Sequence, residues 1–138
     1  MKQLKTLIKY HKSLLDDKRR VLKKLRDEEE SIINMQAHLE QELAEQAAIV
    51  AEQADMAMTF GSYTKSNIAR RKKLAEYLVE TQHLIELAEA EVADAYRELK
   101  KYEITKERRA KEEKQELDRK EQADLDETAR NLWRRGES

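Results

Sequence analysis

Met58–Ser66 reads MTFGSYTKS, and how this stretch is interpreted decides the fold. It holds Gly61, one of two glycines in the chain, and Phe60, the only phenylalanine. Long runs with helical periodicity and no proline lie on both sides. A Gly/Ser/Thr cluster between two such runs is a turn signal, because glycine accepts positive φ and the hydroxyls satisfy freed backbone groups. The stretch therefore predicts a loop over 58–66 joining a helix over about 2–57 to a second over about 67–133. Ser66 or Asn67 serves as the second helix's N-cap.

Working outward, each run carries a stripe. The first has Leu7, Leu14, Val21, Leu25, Ile32, Met35 and Leu39 at steps of three and four from Leu4, three of whose stations (His11, Lys18 and Glu28) are not apolar, with Ile8, Leu15, Leu22 and Ile33 beside it. Such spacing marks a helix with one buried seam. After Leu39 the stripe steps by fours through Leu43 and Ala47, then reaches Val50, Ala54 and Ala57, which reads as a stutter. The second run has Leu74, Leu78, Thr81, Ile85, Ala88, Val92, Ala95, Leu99 and Tyr102. Beyond Glu103 it thins to Ala110, Leu117 and Leu125. There Glu107–Lys111, Glu116–Lys120 and Asp126–Arg130 stand at i,i+4, a spacing that supports an exposed helix. This polar end is expected to fray when free.

Folding the chain about residue 62 brings the stripes face to face. Facing residues then add to roughly 124: Leu25 meets Leu99, Ile32 meets Val92, Leu39 meets Ile85, Val50 meets Leu74 and Leu7 meets Leu117. The expected fold is all-α, one long antiparallel two-helix coiled coil spanning 1–138. At about 1.5 Å per residue its rod would be roughly 80 to 100 Å long, with helix 2 projecting about a dozen residues past the first. The competing arrangement is a parallel dimer of one continuous helix. The break in heptads and helix propensity at Phe60-Gly61-Ser62 disfavours it.

Composition agrees. Charged residues make up 41% and aromatics 5%, against about 25% charged in ordinary domains, so no thick core can form. Cysteine is absent, which removes disulfides and thiolate metal sites and fits a reducing compartment. No apolar run approaches a membrane span, and no signal-peptide core opens the chain. The net charge of −1 conceals an asymmetry: residues 1–26 carry ten Lys/Arg against two Asp, and 27–66 carry nine Asp/Glu against one Lys.

The candidate chemistry is sparse. His38, Glu42, Glu80 and His83 come near one another in the register above, and ETQH is a single Glu-x-x-His. Di-iron bundles need two such motifs on four helices, so flanking polar residues are the better reading. No phosphate loop, nucleophile elbow or Ser/His/Asp arrangement is present, and a two-helix rod offers no concave pocket. No enzymatic activity, cofactor or metal is expected. The basic 1–26 stretch could grip nucleic acid electrostatically. The seam, however, runs straight through it, and a groove-binding helix would expose its whole surface. Phe60 and Tyr63 either pack over the last turn or anchor a partner. Trp133 with Leu132, Arg134 and Arg135 reads as a partner-binding patch or as a fraying end.

Three segments carry a family resemblance: the opening MKQLKTLIKYHKSLLDDKRRVLKKL, YRELKKYE at Tyr96–Glu103, and RKEQADLDETA at Arg119–Ala129. They resemble FliJ and its injectisome counterparts, the coiled-coil stalk proteins of flagellar and type III export. The resemblance implies a hairpin similar to the coiled coil of rotary ATP synthase gamma subunits. It also implies a cytoplasmic protein held at the inner membrane through the export apparatus. Its terminus-bearing end would enter a hexameric, FliI-like export ATPase. Its other end would approach the cytoplasmic ring of an FlhA-like export gate, and substrate chaperones are further implied partners. Lys2, Lys5, Lys9, Arg119, Lys120, Arg130, Trp133 and Arg134 are the residues expected at the ATPase, and Phe60, Tyr63, Arg70 and Arg71 on the gate or chaperone side. Neither nucleic acid, a small molecule nor membrane insertion is expected. The alternative is a generic coiled-coil scaffold, or a basic-arm nucleic-acid binder, without an ATPase partner.

Overall fold

The computed structural model describes residues 2–53, 55 and 57–137. It contains two α-helices, α1 (Lys2–Glu52) and α2 (Ala57–Glu137), packed against each other as an antiparallel coiled-coil hairpin, with no strand among the described residues. Strong helix formers fill both helices, and no proline interrupts them. Contacts divide the chain into a terminal unit (Met1–Ser13 with Tyr96–Ser138) and a loop-side unit (Leu14–Ala95).

The reversal does not fall where the glycine suggested. α1 ends with the Gln53 N–H shared between the carbonyls of Ile49 and Val50, at 3.1 and 3.2 Å. α2 has already begun at Ala57, so Met58–Ser66 is helical and Asn67 is not a cap. Gly61 has no positive φ, and a Cβ there would meet nothing within 4 Å. Nothing in the backbone therefore requires glycine. The reason for the helix is the seam. The steps of three and four in α2 run unbroken backwards from Tyr102 through Leu74, Arg71, Asn67 and Thr64 to Phe60. Glycine in a helix costs about 1 kcal/mol. Half-burying Phe60 on the seam returns at least that much, at about 25 cal/mol per Å² of apolar surface.

In the loop-side unit Lys18 meets Glu91 at 3.1 Å, Arg26 meets Glu89 at 3.3 Å, and Asn67 reaches the carbonyl of Leu39 at 2.9 Å. Facing residues thus add to roughly 110, about two heptads from the register of roughly 124 expected from the turn. Leu25 and Val92 pack on a cluster of Leu22, Ile85 and Ala88, not on Leu99 and Ile32. A heptad stripe slid by whole heptads matches itself, so apolar pairing alone could not tell the two registers apart.

The seam of α1 also lies one residue over at every second station. Leu4, Ile8, Leu15, Leu22, Ile32 and Leu39 are buried, with Leu14 and Leu25 half-buried. Leu7, Val21 and Met35, expected on the seam, are 41%, 50% and 53% exposed and line its flank. With stations at Leu39, Leu43 and Val50 no stutter is needed; Ala47 is exposed, and Ala54 lies outside the described residues. In α2 Thr81, Ile85, Ala88, Ala95 and Leu99 are buried, and Leu74, Leu78, Val92 and Tyr102 half-buried.

Candidate interaction surfaces

In the terminal unit, residues 2, 5, 9 and 12 fall on one face of α1 by their spacing of three and four. Lys2, Lys5, Lys9 and Lys12 line one groove with Thr6, Ile8 and Lys106 of α2. Among the described residues none of these five lysines has an ion-pair partner. The first turn of α1 holds no acid, so the positive end of the helix dipole adds to theirs. The groove is therefore a site of concentrated positive potential that favours carboxylates or other anions. Beside it His11 sits on the seam, stacked on Tyr102 with ring centroids 4.8 Å apart and met edge-on by Tyr10 at 5.1 Å. Its Nδ1 is buried without a hydrogen-bond partner. Lys100 lies over the Tyr96 ring and donates to Glu103 at 3.2 Å, a contact that holds its ammonium above the usual lysine range.

Lys2 falls opposite about residue 108 of α2 in this register, so α2 runs on alone for most of 30 residues. From Glu107 to Gly136 every side chain is exposed. The segment expected to fray is helical, held by local pairs: Arg108–Glu112 at 3.9 Å, Glu116–Arg119 at 3.5 Å, and a Gln122–Asp126 hydrogen bond at 3.2 Å. Arg134 and Arg135 occupy its last turn, where cations complement the dipole. Trp133 is 68% exposed and lines a shallow groove with Asp126, Ala129 and Arg130. The residues expected at the ATPase thus fall into two sets. Lys2, Lys5 and Lys9 share the lysine groove, whereas Arg119, Lys120, Arg130, Trp133 and Arg134 lie roughly 16 to 40 Å further along α2.

Near the connection, Phe60 and Tyr63 are half-buried and line a small groove with Gln46, Val50 and Thr59. The Tyr63 hydroxyl donates to Glu42 at 3.1 Å. Partial burial, and then the Glu42 carboxylate, push its pKa up. The other oxygen of Glu42 lies 3.0 Å from His38 Nε2. His38 is thereby engaged on its own helix. His83, expected across from it, lies about ten residues along α2 from the level of His38 in this register. Among the described residues no group of three His, Asp or Glu side chains could hold a metal. Arg70 is exposed, but Arg71 stands in the seam with its Nε buried and unpartnered and a guanidinium nitrogen 3.9 Å from Glu40.

With these surfaces described, the comparison with known families decides what kind of protein carries them. Residues 1–138 match the family model described as "Flagellar FliJ protein". The chain belongs to the FliJ family. Comparison with curated proteins and with solved structures gives no significant match. Membership makes this FliJ-family chain a component of the flagellar or type III export apparatus, in a family that is not catalytic. No helix among the described residues is long and apolar enough to cross a membrane.

Sequence reasoning named neither Lys12 nor Lys106, and it read Asn67 as a cap and Glu42 as a flanking polar residue. For Asn67 the signal was available: it lies seven residues before Leu74 in unbroken seam phase, which outweighed its N-cap character.

Proposed function

We propose that this chain is a central stalk that binds a hexameric, FliI-like export ATPase through its terminus-bearing end and links it to the cytoplasmic ring of an FlhA-like export gate. Escort of substrate chaperones belongs to the same reading, as does a cytoplasmic position against the inner membrane. The observation that carries it is the unaccompanied end of α2. A helix from Glu107 to Gly136 with every side chain exposed buries nothing of its own, and it ends in Trp133 between arginines. Exposed aromatic and arginine side chains are the residues that most often dominate interfaces.

The mechanism is mechanical and allosteric. A ring enclosing the stalk presents different subunit faces to it, and a stalk that contacts those faces unequally biases their conformations. The lysine groove suits a contact that must be made and broken, because exposed ion pairs are individually worth no more than about 1 kcal/mol. On this reading Phe60, Tyr63, Arg70 and Arg71 serve the gate or chaperone side. The half-burial of Phe60 and Tyr63 and the seam position of Arg71 leave Arg70 the most accessible of the four.

The test is ATP hydrolysis by the cognate export ATPase, titrated with this protein while ring formation is followed by light scattering. Stimulation together with hexamer formation, lost on deleting residues 120–138, is the expected result. A ring-competent ATPase that shows neither binding nor stimulation would leave a coiled-coil scaffold.

A further inference from the structure

In the paired part of the terminal unit, residues 1–13 contain four lysines and neither Asp nor Glu, and residues 96–106 contain four Lys/Arg against two Glu. One of those glutamates, Glu103, already accepts from Lys100. Lys2, Lys5, Lys9 and Lys12 are exposed, and with Lys106 they line a groove to which no carboxylate contributes. Their spacing of three, four and three sets four ammoniums in a row about 15 Å long, along the helix and not around a point. The groove has no arginine and no aromatic in its lining, and its one large apolar side chain, Ile8, is 7% exposed.

These features narrow the ligand. A compact anion needs converging donors, and a row does not converge. Protein interfaces are depleted in lysine and draw their energy from buried aromatic and arginine anchors, which this face lacks. Single-stranded nucleic acid stacks its bases on aromatic rings, and the rings beside the groove, Tyr10 and Tyr102, both engage His11. A DNA groove would have to admit α1 while its Leu4 and Ile8 face is buried in the seam. What a straight row of point charges fits is an extended surface of phosphates. We propose that the lysine groove docks on the surface of an anionic phospholipid bilayer, with residues 2–12 of α1 lying along it. Leu7 and Tyr10 stand off the lysine face by their spacing, so no apolar wedge accompanies the charges and the attachment is electrostatic and reversible. Clusters of about four to eight Lys/Arg on a helix suffice for such a contact, and the positive end of the α1 dipole adds to it. The proposal goes beyond the stalk reading and does not rest on it. A ring seated on the same lysines would exclude the bilayer, so the two contacts compete.

The test is co-sedimentation of the full chain with lipid vesicles in the absence of any ATPase. Vesicles of phosphatidylcholine with about 30% phosphatidylglycerol are expected to carry the chain down at low salt, and raising the salt from about 0.05 to 0.5 M releases it. Pure phosphatidylcholine vesicles do not bind it. Lys5→Gln with Lys9→Gln weakens binding about 25-fold, at about fivefold per lysine, with unchanged helical circular dichroism. Lys5→Arg with Lys9→Arg retains binding. Lys65→Gln with Lys72→Gln removes the same charge from exposed positions of the loop-side unit and leaves binding within about twofold. No binding to the phosphatidylglycerol vesicles, equal binding to pure phosphatidylcholine, or an equal loss in the Lys65/Lys72 variant would each overturn the proposal. So would tighter binding to a mixed-sequence DNA duplex at equal phosphate concentration, or release from the vesicles by polyglutamate at equal charge, which assign the groove to nucleic acid or to an acidic protein. Any of these results leaves the ATPase titration to judge the stalk reading separately.

Discussion

Replacing Gly61 by alanine puts the placement of the reversal to a quantitative test. In α2 the residue has an ordinary helical φ, and an added Cβ meets nothing within 4 Å, so the substitution brings neither strain nor a clash. What remains is propensity. Alanine is favoured over glycine in a helix interior by about 0.8 to 1 kcal/mol, largely because glycine loses more backbone freedom on folding. Gly61→Ala is therefore expected to stabilise by nearly that full amount. At this chain length it raises the thermal midpoint by about 3 °C. The companion substitution Ser62→Pro removes a hydrogen bond from the same turn of helix and introduces a ring clash, at a cost of about 3 kcal/mol. Urea denaturation followed by circular dichroism at 222 nm reads both. If Gly61 sat at positive φ in a turn, the signs would reverse: alanine would destabilise, and proline at the next position of a loop would be nearly neutral. A Gly61→Ala chain less stable than the original by 0.5 kcal/mol or more would therefore refute the helical assignment of 58–66 and the register that follows from it.

Three further outcomes are expected. Asn67 is 3% exposed, donates to the Leu39 carbonyl and keeps its own Oδ1 buried without a partner. Asn67→Leu is expected to raise urea stability by about 2 kcal/mol, since apolar burial and relief of the orphaned oxygen outweigh one hydrogen bond. The same variant should lose register fidelity, read as cross-linking of cysteine pairs one heptad out of step. Tyr63 has a folded pKa raised by partial burial and Glu42. Its contribution to stability is therefore complete below the unfolded tyrosine pKa and disappears as pH rises through the folded value. Absorbance titration at alkaline pH should lose in Tyr63→Phe a tyrosine that ionises above the ordinary tyrosine range, and an unchanged curve would contradict the contact with Glu42. Finally, hydrogen exchange in the free chain should show strong protection at Thr81–Leu99 and little at residues 120–135, where i,i+4 pairs worth about 0.2 to 0.5 kcal/mol each are all that hold the helix.

The two helices and most of the α2 seam were legible because a period of three and four residues over many turns admits no other structure. Other features resisted for identifiable reasons. In α1 neighbouring positions are both apolar at Leu7–Ile8, Leu14–Leu15 and Val21–Leu22, so two stripes share every second station, and only packing selects Ile8, Leu15 and Leu22. The register resisted because apolar matching repeats every heptad. What fixes it is polar, namely Asn67 on Leu39, Tyr63 on Glu42 and Arg71 near Glu40. Gly61 misled because conformational permission is not a requirement. A glycine tolerates a turn, and at about 1 kcal/mol it also tolerates a helix when seam residues on both sides repay it. The lysine groove was half visible. Lys2, Lys5 and Lys9 stood out by charge, but Lys106 joins them only once the register is known.

That register shift also enlarges what the terminal unit has to offer. With the reversal near residue 55 instead of 62, the length of α2 left without a partner grows from about a dozen residues to nearly 30. Its exposed apolar side chains, Leu117 at 60%, Leu125 at 65% and Trp133 at 68%, cannot be attributed to a seam with α1. A helix in this condition is marginal, because only its backbone hydrogen bonds and local pairs, and no tertiary packing, offset the chain entropy it loses. A surface that binds it supplies the missing burial but gives up part of that gain to ordering, which lowers net affinity without lowering specificity. On the proposed stalk reading, weak, repeatedly broken contact is what a ring around this helix requires. A segment that folded firmly on its own core would have no apolar surface left to present, and one held by deep burial in a single subunit would arrest the cycle at that subunit. The composition of residues 107–136, charged throughout with a few well-separated large apolar side chains, lies between these limits.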